Sequence, residues 1–219
     1  MACECALAAY LGLWQLIGNS PRTVVFEIER WENNTWGLHN IERGRTSGTV
    51  AVSADGSRAN NVSSVQYKHY FIPTTLWTVR NIYRKPENIA FRIDDQARTT
   101  SLMRCGCTWE ELKAPPLDAG CGGAAAAHFT MPVKVGQGTI AGIGVILYRG
   151  SGTENEHEMA FAPRLGCDLL EERNSTYNAI GLPTSRFHYI VRSYVVGEPD
   201  QKLFHPPPQY APQDKPFLP

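Results

Sequence analysis

Apolar and polar residues alternate along much of the chain after residue 20. Val24, Phe26 and Ile28 fall on every second position, and two glutamates occupy the alternate set. Successive side chains of a β-strand point to opposite faces, so this period of two predicts a strand with one buried face. The same alternation returns at residues 89–93 and at residues 186–196.

Turn signals separate these runs. Asp55-Gly56 is the strongest, because both residues tolerate the positive φ of a tight hairpin turn. We read residues 63–83 as two strands joined near Pro73, and Asp94-Asp95 as the turn of a hairpin that returns through residues 99–103. Further strands are predicted at residues 139–149, 156–162, 167–174 and 186–196, with a turn at Pro163 to Gly166.

The strand at 186–196 is the longest clean run in the sequence. Phe187, Tyr189, Val191 and Val195 have the spacing of a single face, so we expect all four side chains to point the same way. The predicted elements follow one another as an antiparallel meander in a mainly β protein.

The C-terminal residues are punctuated by proline. The run Gly-Glu-Pro-Asp at 197–200 ends the last strand, because its proline cannot donate to a β-ladder. Six more prolines follow, so residues 205–219 are predicted to lie extended over the surface, outside helix and sheet interior. Leu203, Phe204 and Tyr210 are expected to hold this tail on the core.

A stretch rich in Gly, Ala and Pro interrupts the predicted strands. We interpret residues 105–137 as an insertion, with a helical turn at 109–112 and a flexible linker at 122–127. Gly136-Gln137-Gly138 lacks the rest of a dinucleotide-binding fingerprint and is read as a loop.

The first eighteen residues are apolar apart from Glu4 and Gln15. A membrane span needs about 20 apolar residues, and a signal peptide carries Lys or Arg before its apolar core. Three readings stay open: a signal peptide with a misassigned start, an interfacial anchor, or a short helix packed on the domain. The helical spacing of the large apolar residues favours the last two. Membrane association through residues 1–18 is therefore an expectation.

Length and composition suit one folded domain. With 219 residues, 42% of them hydrophobic and 19% charged, the chain can bury one sizeable core. We divide it into an apolar segment at 1–20, a β-rich domain at 21–204 and a proline-rich tail at 205–219. Lys plus Arg and Asp plus Glu each total 21, and this balance argues against a nucleic-acid partner.

Six cysteines point to disulfides more than to metal. Cys105, Cys107, Cys121 and Cys167 are the disulfide candidates, and the loop from Cys105 to Cys121 is a natural one to close. Cys105 and Cys107 are separated by one residue and would bond each other only with strain. A zinc site needs paired CxxC or CxxH motifs, which the sequence lacks, so no metal and no cofactor are expected.

The most suggestive polar cluster surrounds His157. The second histidine of a zinc-protease HExxH motif is replaced by Phe161. On a strand, Glu156 and Glu158 share one face and His157 takes the other, so the three would not converge on a metal. No GxSxG nucleophile motif occurs. The sequence favours a protein that is not an enzyme, and a hydrolase using His157 or Cys167 is the catalytic alternative.

Aromatic residues crowd the first half of the chain. Most are needed for the core of a sheet. Those that line a concave face would form the apolar pocket of a lipid or hydrophobic-ligand carrier. The candidate ligand-binding residues are Trp31, Trp36, Tyr70, Phe71 and Trp77.

Three motifs carry a resemblance to a known group of proteins. They are Ile140-Ala141-Gly142, the block Ala160 to Leu170 (AFAPRLGCDLL), and the C-terminal run GEPDQKLFHPPPQY at 197–210. With these the chain resembles the exported β-rich proteins of acidobacterial genomes, over roughly its last eighty residues. Gln201 stands where that group usually has proline.

The resemblance implies a curved antiparallel sheet, similar to the half-barrel of periplasmic lipoprotein carriers. The residue pattern adds a short N-terminal helix and an extended C-terminal tail to this prediction. It brings no catalytic residues. The expected function is a non-enzymatic carrier of a hydrophobic ligand or lipoprotein in the periplasm or outer cell envelope. The alternative is an accessory or structural subunit of an envelope or membrane-associated complex, with an envelope protein as partner.

Overall fold

A computed structural model describes residues 20–33, 41–68, 72–87, 89–103, 120–126, 128–129, 131–151 and 155–213. Its twelve strands, β1 to β12, span Arg22–Asn33, Ile41–Val52, Arg58–Lys68, Ile72–Arg84, Ile89–Asp94, Thr99–Met103, Val133–Ile140, Ile143–Ser151, Asn155–Ala162, Asp168–Tyr177, Pro183–Val196 and Ala211–Gln213. Helix α1 covers Gly122–Ala126, and two 3₁₀ helices, η1 and η2, cover Pro163–Leu165 and Gln201–Phe204. The mainly β prediction is confirmed. The predicted N-terminal helix lies outside the described residues.

All twelve strands belong to one curved sheet that does not close, in the order β12-β6-β5-β4-β3-β2-β1-β11-β10-β9-β8-β7. One antiparallel meander runs outward from β1 to β6, and a second runs inward from β7 to β11. The two meanders meet where β1 pairs with β11 in the middle of the sheet. The structure therefore confirms the meander and shows that it consists of two halves.

Strand β1 defines the two faces of the sheet. Val24, Phe26 and Ile28 are buried on one side, which we call the interior face. Glu27, Glu29 and Trp31 alternate with them, and we call their side the outer face. The interior face is the main apolar core, to which seven strands and the segment around α1 contribute side chains.

A β-bulge at the centre of the sheet changes the side to which β11 points. Val25 pairs with Ser193, but the next residue, Phe26, pairs with Val191, so Arg192 is an extra residue in β11. An extra residue reverses the alternation beyond it. Tyr194 therefore packs against the interior core, while Val195 is 59% exposed. The expectation that Val195 shares a face with Phe187, Tyr189 and Val191 is wrong.

The local turn predictions hold. Gly56 has a φ of +82°, and the Ser57 N–H donates to Asp55 Oδ1 at 2.8 Å, so Asp55-Gly56 makes the β2–β3 hairpin. Strands β5 and β6 pair on either side of Asp94-Asp95 as expected. Strands β3 and β4 form the pair predicted around Pro73, which sits opposite Tyr67 at a register shift.

Two glycine-rich stretches form regular secondary structure where the sequence suggested loop or linker. Gly136-Gln137-Gly138 lies within strand β7, so its interpretation as a loop is wrong. Residues 122–126 form α1, with Ala124 and Ala125 buried, and are not a flexible linker. The run predicted at 139–149 contains a turn, because Ala141 and Gly142 both have positive φ and reverse the chain between β7 and β8. The region called an insertion at 105–137 thus supplies a helix and most of an edge strand.

The C-terminal run is attached to the outer face. Phe204 is 3% exposed and packs with Ala51, Ile82 and Ile93. The Tyr210 hydroxyl donates to Asp95 Oδ1 at 2.9 Å. Both residues hold the tail as predicted, and Leu203 is 37% exposed.

The tail also extends the sheet. Ala211–Gln213 forms β12, which pairs in parallel with β6 at the edge of the sheet. An edge tolerates the missing N–H of its proline, so the tail contributes an edge strand while staying outside the sheet interior. Residues 214–219 lie outside the described part. No helix among the described residues is long and apolar enough to cross a bilayer.

Close packing between β1, β2 and β3 makes Gly48 a test of the interior face. A Cβ at Gly48 would stand 2.8 Å from the Asn61 carbonyl oxygen and 3.0 Å from Phe26 Cζ. Gly48→Ala should lower the free energy of unfolding by about 1–3 kcal/mol, the usual cost of overpacking. Urea denaturation measures it. Gly144→Ala in β8 is the control, because nothing lies within 4 Å of its Cβ position; equal stabilities for both variants would contradict the packing.

Candidate functional site

The interior face is covered at one end by residues 120–126 and 128–129. Ala124 and Ala125 of α1 are buried in the core. The Phe129 ring packs on Gly150 of β8 and meets the His157 ring edge-on, with centroids 4.8 Å apart. The absence of a side chain on Gly150 leaves the space that Phe129 fills. This segment lies over strands β8 and β9, at one side of the interior face.

A disulfide fixes the covering segment to the sheet. Cys121 is bonded to Cys167, with their Cα atoms 5.5 Å apart, and Cys167 lies in the turn between η1 and β10. Both cysteines were disulfide candidates, but the expected closure of the loop from Cys105 to Cys121 is wrong. Cys105 and Cys107 lie outside the described residues. Because the Cys167 sulfur is bonded, it has no thiolate with which to attack a substrate.

The residue after that cysteine belongs to a buried ion pair. Arg22 and Asp168 are 1% and 0% exposed, and Arg22 Nε lies 3.2 Å from Asp168 Oδ2. The Tyr194 hydroxyl donates to the same carboxylate oxygen at 2.5 Å, and Arg22 Nη1 donates to the Ser20 carbonyl at 2.9 Å. The cluster ties the start of β1 to β10 and β11.

Burial dominates the ionisation of this cluster. Loss of hydration raises the pKa of Asp168 to about 6, although Arg22 and the Tyr194 hydroxyl both act to lower it. Burial, together with the charge of Asp168, raises the pKa of Tyr194 well above its usual range. The ion pair is therefore structural, because its burial keeps solvent away from both side chains. The free-energy cost of ionising Asp168 in the core depends on pH.

His157 and its neighbouring glutamates alternate between faces as predicted. Glu158 pairs with Arg149, and Glu156 accepts a hydrogen bond from the Tyr177 hydroxyl at 3.1 Å. His157 points to the interior face, where its Nε2 lies 2.8 Å from Glu172 Oε1. Within the described part of the chain no group of three His, Cys, Asp or Glu side chains could hold a metal ion.

The structure places the two candidate tryptophans that it describes, Trp31 and Trp77, on opposite faces of the sheet. Trp77 is in register with Ser64, Thr46 and Ile28 across four strands and packs against the interior core. Trp31 lies three residues beyond Ile28 in β1 and therefore projects from the outer face. Trp36, Tyr70 and Phe71 lie outside the described residues, so their predicted role is untested.

Trp31 lies at the centre of a cleft on the outer face. Arg43 of β2 and Arg186 of β11 are its direct cross-strand neighbours, so the three side chains form one row across three strands. We call the space around them the Trp31 cleft. Its volume is about 450 Å³, and it is lined by Glu29, Arg30, Trp31, Arg43, Pro183, Arg186 and His188.

One carboxylate in the cleft is already engaged. Glu29 Oε1 accepts from Arg45 at 2.7 Å and lies 3.9 Å from Arg43. The hydrogen bond from Arg45 lowers the pKa of Glu29, so this carboxylate is ionised at neutral pH. His188 turns toward Glu171, with 2.8 Å between Nε2 and Oε1. Arginine charge therefore exceeds carboxylate charge in the cleft.

Sequence reasoning selected Trp31 but missed the residues around it. Arg43 and Arg186 are more than 140 positions apart and carry no motif. Arg22 and Asp168 escaped notice for the same reason. Only strand register brings either pair together, and no alternation within one strand signals it.

No protein-family model matches the sequence, and no curated protein matches it. Among solved structures, the fold is similar to that of MucB in the MucA/MucB complex of Pseudomonas aeruginosa, at 13% identity over 90% of this chain and 60% of that one, with a TM-score of 0.43. LprF from Mycobacterium bovis is similar at 10% identity over 81% and 89% of the two chains, with a TM-score of 0.35.

A LolA superfamily protein from Nitrosomonas europaea is similar at 9% identity over 90% of this chain and 96% of that one, with a TM-score of 0.24. The chain spans about 60% of the MucB chain that it matches. Identities and scores at this level are too low for the function of any of these proteins to be transferred to this chain.

The disulfide should contribute strongly to stability. It closes a loop of 46 residues, for which chain entropy gives about 4 kcal/mol. Replacing both cysteines with alanine should lower the free energy of unfolding by about 2–4 kcal/mol, measured by urea denaturation. Peptide mapping of the unreduced protein should recover Cys121 and Cys167 in one linked fragment. A linkage of Cys121 to another cysteine would contradict the structure.

The buried carboxyl group should make stability depend on pH. The folded pKa of Asp168, about 6, exceeds its ordinary value of 3.8, so between these values the folded state binds more protons than the unfolded state. The stability that Asp168 contributes is full below pH 3.8 and is lost as the pH rises through 6. The loss is about 3 kcal/mol.

Asp168→Asn mimics the protonated carboxyl and should remove this dependence. Relative to the wild type, its free energy of unfolding should rise between pH 4 and pH 7.5, because only the wild type then carries the buried charge. Urea denaturation at both pH values gives the difference. If the free energies of unfolding of the two proteins changed with pH in parallel, the pKa of Asp168 would not be raised by burial.

Proposed function

We propose that this protein is a non-enzymatic carrier of a hydrophobic ligand in the cell envelope, and that the ligand lies beside Trp77 on the interior face of the sheet. The observation that carries the proposal is the extent of that face. One apolar cluster runs through Leu170 in β10, Val191 in β11, Phe26 in β1 and Val62 in β3, and Trp77 of β4 packs against it.

The position of the covering segment supports this use of the face. Residues 120–126 and 128–129 contact β8 and β9. Trp77 stands on β4, with β3, β2, β1, β11 and β10 between them in the sheet. The four core residues named above for this face are at most 1% exposed, so half-buried Trp77 marks the accessible margin at which a hydrophobic ligand would meet the apolar cluster.

The disulfide supports the proposed location. Disulfides form and persist in oxidising compartments such as the periplasm and the cell surface. The bridge joins two buried cysteines that both belong to the main apolar core. Such a bridge is consistent with export to an oxidising compartment. The accessory-subunit alternative and membrane association through residues 1–18 remain predictions, since that segment lies outside the described residues.

Ligand binding to the interior face can be tested with a fluorescent fatty acid. The wild type should bind it, with energy transfer from tryptophan to the probe. Trp77→Ala should weaken binding about tenfold, because the indole supplies apolar contact area. Titration of probe emission gives the affinities. Organic extraction of the purified protein should also release an apolar molecule.

Leu76→Ala is the matched control. Leu76 is adjacent in β4, is 73% exposed and points to the outer face, so its removal should leave probe binding unchanged. Equal losses in the two variants, or absence of both probe binding and an extracted molecule, would reject the carrier proposal.

A further inference from the structure

The Trp31 cleft holds arginine charge that the described carboxylates do not neutralise. Arg43 approaches Glu29 only to 3.9 Å, and Glu29 is bonded to Arg45 at 2.7 Å. Within the described part of the chain, Arg186 takes part in none of the ion pairs. Two guanidinium groups thus remain available to an anion from outside the protein.

Strand register places these two groups on either side of the indole. Neighbouring strands lie about 4.8 Å apart, and Arg43 and Arg186 each stand directly opposite Trp31. The two arginine backbones therefore lie about 10 Å apart, with the ring between them. Arginine side chains are long enough to converge above the ring, and the planar guanidinium matches the oxygens of phosphate and carboxylate.

Apolar surface continues from the cleft along the outer end of the sheet. Pro183 lines the cleft, and the preceding turn exposes Ile180 by 78% and Leu182 by 57%. These apolar side chains can contact the apolar part of a ligand whose anionic group is bound by the arginines. The cleft volume of about 450 Å³ falls in the range of small-ligand sites.

We propose that the Trp31 cleft binds an amphiphilic anion. Arg43 and Arg186 hold a phosphate or carboxylate group, and the apolar chain or ring attached to it lies on Trp31 and Pro183. This site is on the outer face, opposite the interior face to which the carrier proposal refers, and it does not depend on that proposal.

Calorimetric titration with three probes, each below its critical micelle concentration, separates the contributions of the anion and of the apolar chain to binding. Octyl phosphate has both parts, inorganic phosphate has only the anion, and octyl glucoside has only the chain. Octyl phosphate should bind at least about tenfold more tightly than either of the others, because two kinds of contact add. Its affinity should fall with rising salt. Arg43→Gln and Arg186→Gln should each weaken it about tenfold.

Arg164→Gln is the matched control. Arg164 is an exposed arginine in η1, at the opposite end of β10 from the cleft, so its removal should leave binding unchanged. Arg43 is itself 49% exposed, so the cleft variants should unfold at the wild-type temperature.

Several results would overturn the proposal. Wild-type affinity for octyl phosphate in Arg43→Gln and Arg186→Gln would show that these arginines do not bind the anion. An equal loss of affinity in Arg164→Gln would show that binding depends only on the overall charge of the protein. If inorganic phosphate bound as tightly as octyl phosphate, the apolar chain would make no contact that contributes to binding. Octyl phosphate binding that fails in Trp77→Ala but survives in Arg43→Gln would place the probe on the interior face, which rejects this site and leaves the carrier proposal intact.

Discussion

The antiparallel pairing of β1 with β11 is the interaction on which the rest of the sheet depends. It joins strands from opposite ends of the domain, with Arg22 opposite Val196, and without it the two meanders would be separate smaller sheets. Bringing such distant residues together costs chain entropy that only the completed contacts offset. Those contacts exist on both faces: Phe26 and Val191 are buried on the interior face, and Glu27 pairs with Arg192 at 2.8 Å on the outer face.

The junction is reinforced at one end by unusual side chains. Arg22 begins β1 and pairs with Asp168 in the core, and the residue before Asp168 is half of the disulfide. The ion pair, the disulfide and the Tyr194 hydrogen bond therefore meet at one corner of the sheet. The bulge at Arg192 makes this possible, because it turns Tyr194 inward and Val195 outward. A buried ion pair adds little net stability, and here it joins the start of β1 to the start of β10.

The two proposed sites follow from the same division of the sheet into faces. The interior face collects apolar side chains from both meanders. The outer face carries a smaller apolar cluster beneath Phe204 and elsewhere ion pairs from strand to strand, such as Arg149 with Glu158 and Arg45 with Glu29. Trp31 breaks the polar pattern of the outer face at the β1–β11 junction. Neither apolar cluster of the described residues includes Trp31, and its arginine neighbours are the reason for proposing an external ligand there.

The sequence by itself determined what depends on neighbouring residues: period-two strands, the turn at Asp55-Gly56, the hairpin at Asp94-Asp95, and the anchoring of the tail by Phe204 and Tyr210. It failed at Val195 and at residues 122–126 and 136–138, because bulges, burial and strand pairing are set by contacts distant in sequence. The tertiary structure alone decided that Cys121 bonds Cys167, that Trp31 and Trp77 stand on opposite faces, and that Arg43 and Arg186 flank one indole. The physical reason is register: shifting a strand by one residue moves every side chain to the other face, and residues far apart in the chain, not those within the strand, select the register.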